Sequence, residues 1–277
     1  MTSDQAKIYA ELAATGPYPA KIGSALITMV EPHVGHERSY NRWYEDDHFN
    51  SGAMAMPWMF SGRRWVAPKS LQALRYPADS AVAEPVEAGK YITVYWLTEG
   101  RYDDHMAWTV ATNQRLRADG RIHMERTHVY TSFQSYQGAS YRDSSGPRDI
   151  HALEYPHGGL VLEVIDAPSS EGRAALIDWL KRDRVPAALA GSDAAMCLYF
   201  QPMPLPPDKM PYVKDVEGVD DRLTLLWFTE GDPTHSWDRI FARSGDLVAG
   251  SGLGKVALVA PFIPTLPGTD RYVDELR

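Results

Sequence analysis

The sequence is poor in cysteine and has no concentrated positive charge, and both shortages narrow what the chain can be. A single thiol, Cys197, cannot form an internal disulfide or a multi-cysteine metal site, which suits a reducing cytoplasm. It lies in the apolar run AAMCLYF and reads as a buried structural thiol. No Lys/Arg run occurs and the net charge is −8, so neither nucleic acid nor an anionic membrane surface is expected as a partner. The opening MTSDQAKIYAELAATG lacks the basic-then-apolar order of a secretory signal. No stretch approaches the ~18–20 apolar residues of a membrane helix. A cytoplasmic location is the resulting expectation. No G-x-G-x-x-G, G-x-x-x-x-G-K-[ST] or HExxH pattern is present, and GSGLGK at 250–255 precedes a strand and reads as a turn. His33, His36 and His48 have only loose turn spacing, so no metal and no cofactor are expected.

What is present is an ordinary globular composition with a surplus of large aromatics. The 277 residues are 44% hydrophobic and 23% charged, enough to bury a sizeable core. The 8 Trp and 15 Tyr exceed what an aliphatic core needs and suit a pocket for a ring-shaped ligand.

Apolar, β-branched and aromatic runs predict strands at 24–32, 90–100, 127–133, 159–168, 194–204, 222–231 and 255–264, with GRRW (62–65) as a further one. Helical patterns lie between them, and Gly120 stands where a helix beginning near Asp103 would end. The chain then repeats itself. YWLTEG at 95–100 returns as LWFTEG at 226–231, pairing Trp96 with Trp227, and Trp43 falls opposite Trp179. A spacing of about 130 residues is too long for a solenoid and points to two copies of one βαββαβ unit. One face of each sheet would be bare alone, so the two sheets are expected to face each other around a barrel. The expected layout is an N-terminal extension (1–21), a first half (22–137), a linker (138–157), a second half (158–265) and a C-terminal tail (266–277). The proline-rich stretch 204–220 is expected to be irregular.

The motif NRWYEDDHF (41–49) concentrates the chemistry. Tyr40, Tyr44 and His48 are spaced i, i+4, i+8 and share a stripe. A histidine at a helix C-terminus beside Asp46 and Asp47 is expected to have a raised pKa and to exchange protons near neutrality. The second copy carries Arg184 in place of His48, so the fold itself does not require the histidine. Arg126, His128 and Tyr130 alternate on one strand and would face one way. One of Arg63 and Arg64 would point inward and could hold an anion. His105, in DDHMAW, reads as solvated.

The W-Y-x-x-x-H spacing within two βαββαβ copies resembles the dimeric α/β-barrel superfamily, and within it the EthD-like branch, whose signature is of the W-x-x-x-H-x-P type. Phe49 and Asn50 depart from that signature, while the second copy keeps its proline as Pro186. The resemblance covers about 22–265. It implies an α+β fold, two tandem ferredoxin-like domains forming one intramolecular barrel, and it places His48 at the mouth of the barrel cavity. It also implies an enzyme on small, often aromatic molecules. The leading expectation is a cofactor-independent lyase or isomerase for a bulky aromatic compound. His48 would be the acid/base, with Asp47 orienting it and Tyr44, His128 and Tyr130 assisting. Tyr40, Trp58, Arg63, Tyr95 and Arg126 would bind substrate. The alternatives are an oxygenase in the same barrel, haem-dependent or cofactor-free, or a non-enzymatic module for a hydrophobic ligand. Two such barrels could further associate as a homodimer.

Overall fold

A computed structural model describes residues 3–16, 19–55, 58–204, 215–216 and 218–277 of the chain. Most of the expected irregular stretch 204–220 lies outside the described residues. After helix α1 (Ser3–Thr15) the first half runs β1 (Ile22–Pro32), α2 (Glu37–Trp43), β2 (Met59–Val66), α3 (Lys69–Gln72), β3 (Tyr91–Thr98), α4 (Tyr102–Ala118) and β4 (Arg126–Tyr141). The second runs β5 (Gly159–Asp166), α5 (Gly172–Trp179), α6 (Val185–Leu189), β6 (Ala194–Pro202), β7 (Arg222–Thr229), α7 (Ser244–Ser251) and β8 (Lys255–Pro264). Among the described residues no helix is long and apolar enough to cross a membrane.

Among the described residues eight strands close into one antiparallel barrel in the order β1-β3-β2-β8-β5-β7-β6-β4. Each half contributes a four-stranded sheet with the same internal order, related by the sequence repeat. Closure joins the outer strands of the two halves at two seams. The two seams differ. β4 and β6 pair from Gln134↔Pro202 to Tyr141↔Met196, whereas β2 and β8 pair only at Trp65↔Pro264 and Val66↔Ile263. Past that short seam Tyr76 exchanges backbone hydrogen bonds with Val259 and covers the exposed edge of β8. β4 therefore runs through Tyr141, eight residues beyond the strand expected at 127–133 and into the expected linker.

An eight-stranded barrel has an interior just wide enough to be filled by side chains. Here Ile27, Trp65, Ile92, Trp96, Phe200, Phe228 and Phe262 fill it, all fully buried. Trp96 stacks on Phe200 across the halves with ring centroids 5.6 Å apart, an aromatic pair of the kind that adds about 0.5–1.5 kcal/mol to area burial. The interior is thus core, not a substrate chamber, and His48 does not look into it.

The repeated hexamers align in sequence but not in facing. Trp96 points into the barrel, while Trp227, paired with Val161, points outward to the helices of the second half. There its indole N–H donates to Glu163 Oε2 at 2.9 Å. Arg184, the counterpart of His48, donates to the other Glu163 oxygen at 2.7 Å, and Ser244 also bonds that carboxylate. The space behind the second sheet is filled by this buried ion pair. Removing one partner of such a pair strands a charge, whereas replacing both does not. Arg184→Ala is expected to lower unfolding free energy by about 3–5 kcal/mol in urea titrations, and Arg184→Met with Glu163→Leu to recover most of it.

Candidate functional site

The side chains of NRWYEDDHF are set by a change of helical pitch. After Trp43 the helix widens into a π-helical segment, Tyr44–Ala53, in which the Met54 N–H reaches back five residues to Phe49 O at 2.9 Å. The second half widens at the matching place, Leu180–Arg184. The wide turn brings His48 back under Trp43, ring on ring at 4.3 Å and 18°. A Cβ at Gly52 would lie 2.6 Å from His48 Nδ1, so glycine allows the backbone to pack on that edge of the imidazole. The Nε2 edge is the one left for a ligand.

His48 borders a pocket of about 140 Å³ between the helices and the outer face of the first sheet. Leu26, Thr28 and Val30 of β1 and Tyr95 of β3 form its floor, and Tyr40, Trp43 and Tyr44 form one wall. His105, Met106, Trp108, Thr109 and Asn113 of α4 form another, and Arg126, His128, Thr131 and Phe133 of β4 close it.

A bulge decides which β4 residues take part. Met29 pairs with Tyr130 but Val30 pairs with His128, so Val129 is an extra residue and the alternation reverses there. Arg126 and His128 face the pocket. Tyr130 faces the barrel interior, bonded to Thr224 at 3.1 Å and Gln134 at 2.8 Å, and is not in the site.

The polar groups are mutually engaged. Tyr44 and Tyr95 share a hydroxyl–hydroxyl bond of 2.6 Å, which consumes one proton and leaves the other for a ligand. Burial, then Tyr44, holds the Tyr95 pKa well above its ordinary value. Arg64, fully buried, pairs with Glu45 and lies 4.1 Å over the Tyr44 ring. Arg126 stacks on Trp43 at 4.4 Å and directs its Nε at His128 Nε2, 3.4 Å away. His128 Nδ1 bonds Thr131 at 2.7 Å. If Nε2 accepts from Arg126, Nδ1 carries the proton, which fixes the tautomer.

The electrostatics reverse the sequence expectation. Burial, with Arg126 close by, pushes the His48 pKa down to about 3, outweighing the attraction of Asp47. His128 falls to about 3 for the same two reasons, and burial lowers His105 to about 4. At neutral pH the pocket holds uncharged imidazoles beside a guanidinium.

Tyr40, Tyr44, His48, Tyr95, Arg126 and His128 meet around the pocket. Asp47, Asp46, Arg63 and Trp58 lie elsewhere, whereas His105 joins the pocket. Asp47 turns away from His48 and is bound by Arg121 and Ser51. Asp46 is exposed near Arg42. Arg63 points to the barrel side, over Trp65 at 5.4 Å, and bonds the Tyr155 carbonyl. Trp58 packs beside Met59 and Leu97, outside the pocket lining. His105 is not solvated but buried, 5.2 Å from the Phe133 ring. With Thr109 and Asn113 it forms an i, i+4, i+8 stripe that could have revealed the α4 wall. His33 bonds Glu125 and Thr127, and among the described residues no three metal-type side chains converge.

No family model and no curated protein matches the sequence. Solved structures do. A candidate chlorite dismutase superposes with a TM-score of 0.51 at 12% identity, over 92% of this chain and 98% of its own. An anthrone oxidase-like protein gives 0.50 at 7%, over 89% and 92%. The fold is a dimeric α/β barrel, fused in one chain. The encapsulated DyP-type peroxidase from Mycobacterium smegmatis gives 0.49 at 13%, over 94% and 95%. At these identities the barrel is shared and residue roles are not transferred. The expected lyase or isomerase is nevertheless overturned. The chlorite dismutase candidate and the anthrone oxidase-like protein are both named for oxidative chemistry, not for elimination or isomerisation.

The lowered histidines carry a stability signature. Below pH 6.5 the unfolded chain protonates them while the folded chain does not, so stability is complete above 6.5 and falls as pH drops toward 3–4. Each such proton contributes about 1.4 kcal/mol per pH unit. Urea titrations between pH 6 and 4.5 are expected to show this slope, reduced by one proton in His105→Gln.

Proposed function

We propose that the first half is an oxygenase or oxidase for a small, single-ring phenol or enol, using dioxygen directly. The observation that carries this reading is a one-ring apolar pocket with a neutral histidine, a guanidinium and a tyrosine hydroxyl pair converging on it. An apolar cavity of about 150 Å³ takes up benzene. Organic cofactors and drug-sized ligands need about 300–1,000 Å³. A porphyrin is larger than this pocket. His128 also fits an axial role poorly, being engaged at both nitrogens. The anthrone oxidase-like neighbour, by its name, supports oxidation of an activated ring compound. The same scale supports a substrate smaller than the bulky one expected from the sequence.

The neutral imidazole of His48 takes the substrate proton at Nε2. A histidine with so low a pKa does this only as the anion forms beside it, so transfer and ion pairing are one event. Arg126 and the free hydroxyl proton of the Tyr44–Tyr95 pair hold the new oxyanion. The electron-rich anion then reduces dioxygen. For oxidation of a methylene, one oxygen atom stays on carbon as a carbonyl and the other leaves as water with the two hydrogens. The resemblance of the Trp43–His48 motif to the EthD-like branch belongs to this proposal.

Oxygen consumption with a panel of one-ring phenols and enols tests it. His48→Ala is expected to cut kcat/KM by about 10²-fold or more. Oxygen uptake that ignores His48, or a stoichiometric Soret complex on haemin titration, would overturn the reading.

A further inference from the structure

The last thirteen residues leave β8 and return to the first half, where they lie against the outside of the site helix. Asp270 accepts from Arg38 at 2.9 Å, Arg42 at 2.8 Å and Asn41 at 3.1 Å, all on α2. Asn41 Nδ2 also donates to Thr269 O at 2.9 Å. Next door, the Gly268 N–H donates to Glu45 Oε2 at 2.9 Å, and Glu45 is the carboxylate that neutralises buried Arg64. At the far end Leu276 is 1% exposed and packs in one cluster with Tyr40, Tyr44 and Tyr91, while Arg277 bonds Glu31 and the Pro32 carbonyl.

We propose that this tail is a positioning strap for the pocket, with Asp270 as its principal anchor. It is distinct from the reaction proposed above and concerns the pocket wall whichever oxidation the pocket serves. α2 is only seven residues long before it widens, too short to hold its own shape. Its inner face carries Tyr40 and Trp43, and the π segment that follows carries Tyr44 and His48. Asp270 grips three α2 side chains at once, and Leu276 supports Tyr40 and Tyr44 from beneath. The strap thereby fixes the angle at which Trp43 covers His48, and so the burial that keeps His48 uncharged. Asp270 itself is held in the charged form by Arg42, Asn41 and Arg38, whose pull exceeds its slight burial, so the grip persists through the physiological range.

The test is an NMR titration of the His48 ring in the full-length chain, comparing wild type with Asp270→Ala, Asp270→Glu and Leu276→Ala. Loosening the strap is expected to admit water beside His48 and raise its pKa by at least one unit from about 3, toward the free value of 6.5. The His48–Trp43 ring-current shift should fall with it, and Asp270→Glu should restore both. Should Asp270→Ala fail to fold, Arg277→Ala releases only the end of the strap and is read the same way. An unchanged His48 titration in the folded variants, with only the denaturation midpoint lowered, would overturn the proposal and leave the tail a plain stabilising segment. Neither outcome depends on a substrate or on oxygen consumption.

Discussion

Closure of the backbone ladder is the constraint on which the rest of this molecule depends. Once eight strands share one ring of hydrogen bonds, every strand residue must point either into a filled core or out to a helical layer. The core takes the aromatic bulk of both halves. Function is left with the outer layer, between sheet and helix, where side chains can be spaced rather than packed. In the first half that layer is lined by His48, His105, Arg126 and His128 around open volume. In the second, Arg184, Glu163, Trp227 and Ser244 fill the equivalent space and satisfy one another. One copy became a pocket and the other a prop, on the same backbone plan.

The repeat and the strand order were legible in the sequence because they rest on local signals: period-two apolar runs, turn residues and a hexamer that recurs. Gly120 ends α4 in the left-handed region with φ +67°, where its position had placed a helix end. Facing was not legible. A single extra residue at Val129 sends Tyr130 inward and His128 outward, and nothing in RTHVYTSF distinguishes a bulge from plain alternation. The same kind of one-residue offset separates Trp96 from Trp227. The hexamers match letter for letter in part, yet their indoles lie on opposite faces.

The site was legible in its members more than in its electrostatics. Tyr40, Tyr44 and His48 fall together because helical spacing survives the pitch change. Their environment depends on parts far away in sequence: α4, the end of β4 and the tail. Those parts exclude water, and exclusion of water outweighs the helix terminus and the neighbouring carboxylates that would have raised the His48 pKa. Asp47 looked like an orienting partner because it is adjacent in sequence, but Arg121, brought in from the far side of α4, holds it instead.

The unequal seams give the barrel a direction. Seven residue pairs join β4 to β6 and two join β2 to β8. The ring is therefore better regarded as a strip with a permanent joint and a clasp. The clasp lies between the first copy's β2 and the last strand of the second, directly where the chain turns back as the tail. Fastening the clasp and laying down the tail are consecutive stretches of one polypeptide. In a ring built from two separate chains the same segment would follow the last strand of each copy; here the segment after β4 leads on to β5, and only the segment after β8 reaches across to α2, a use the other copy has no means to reciprocate.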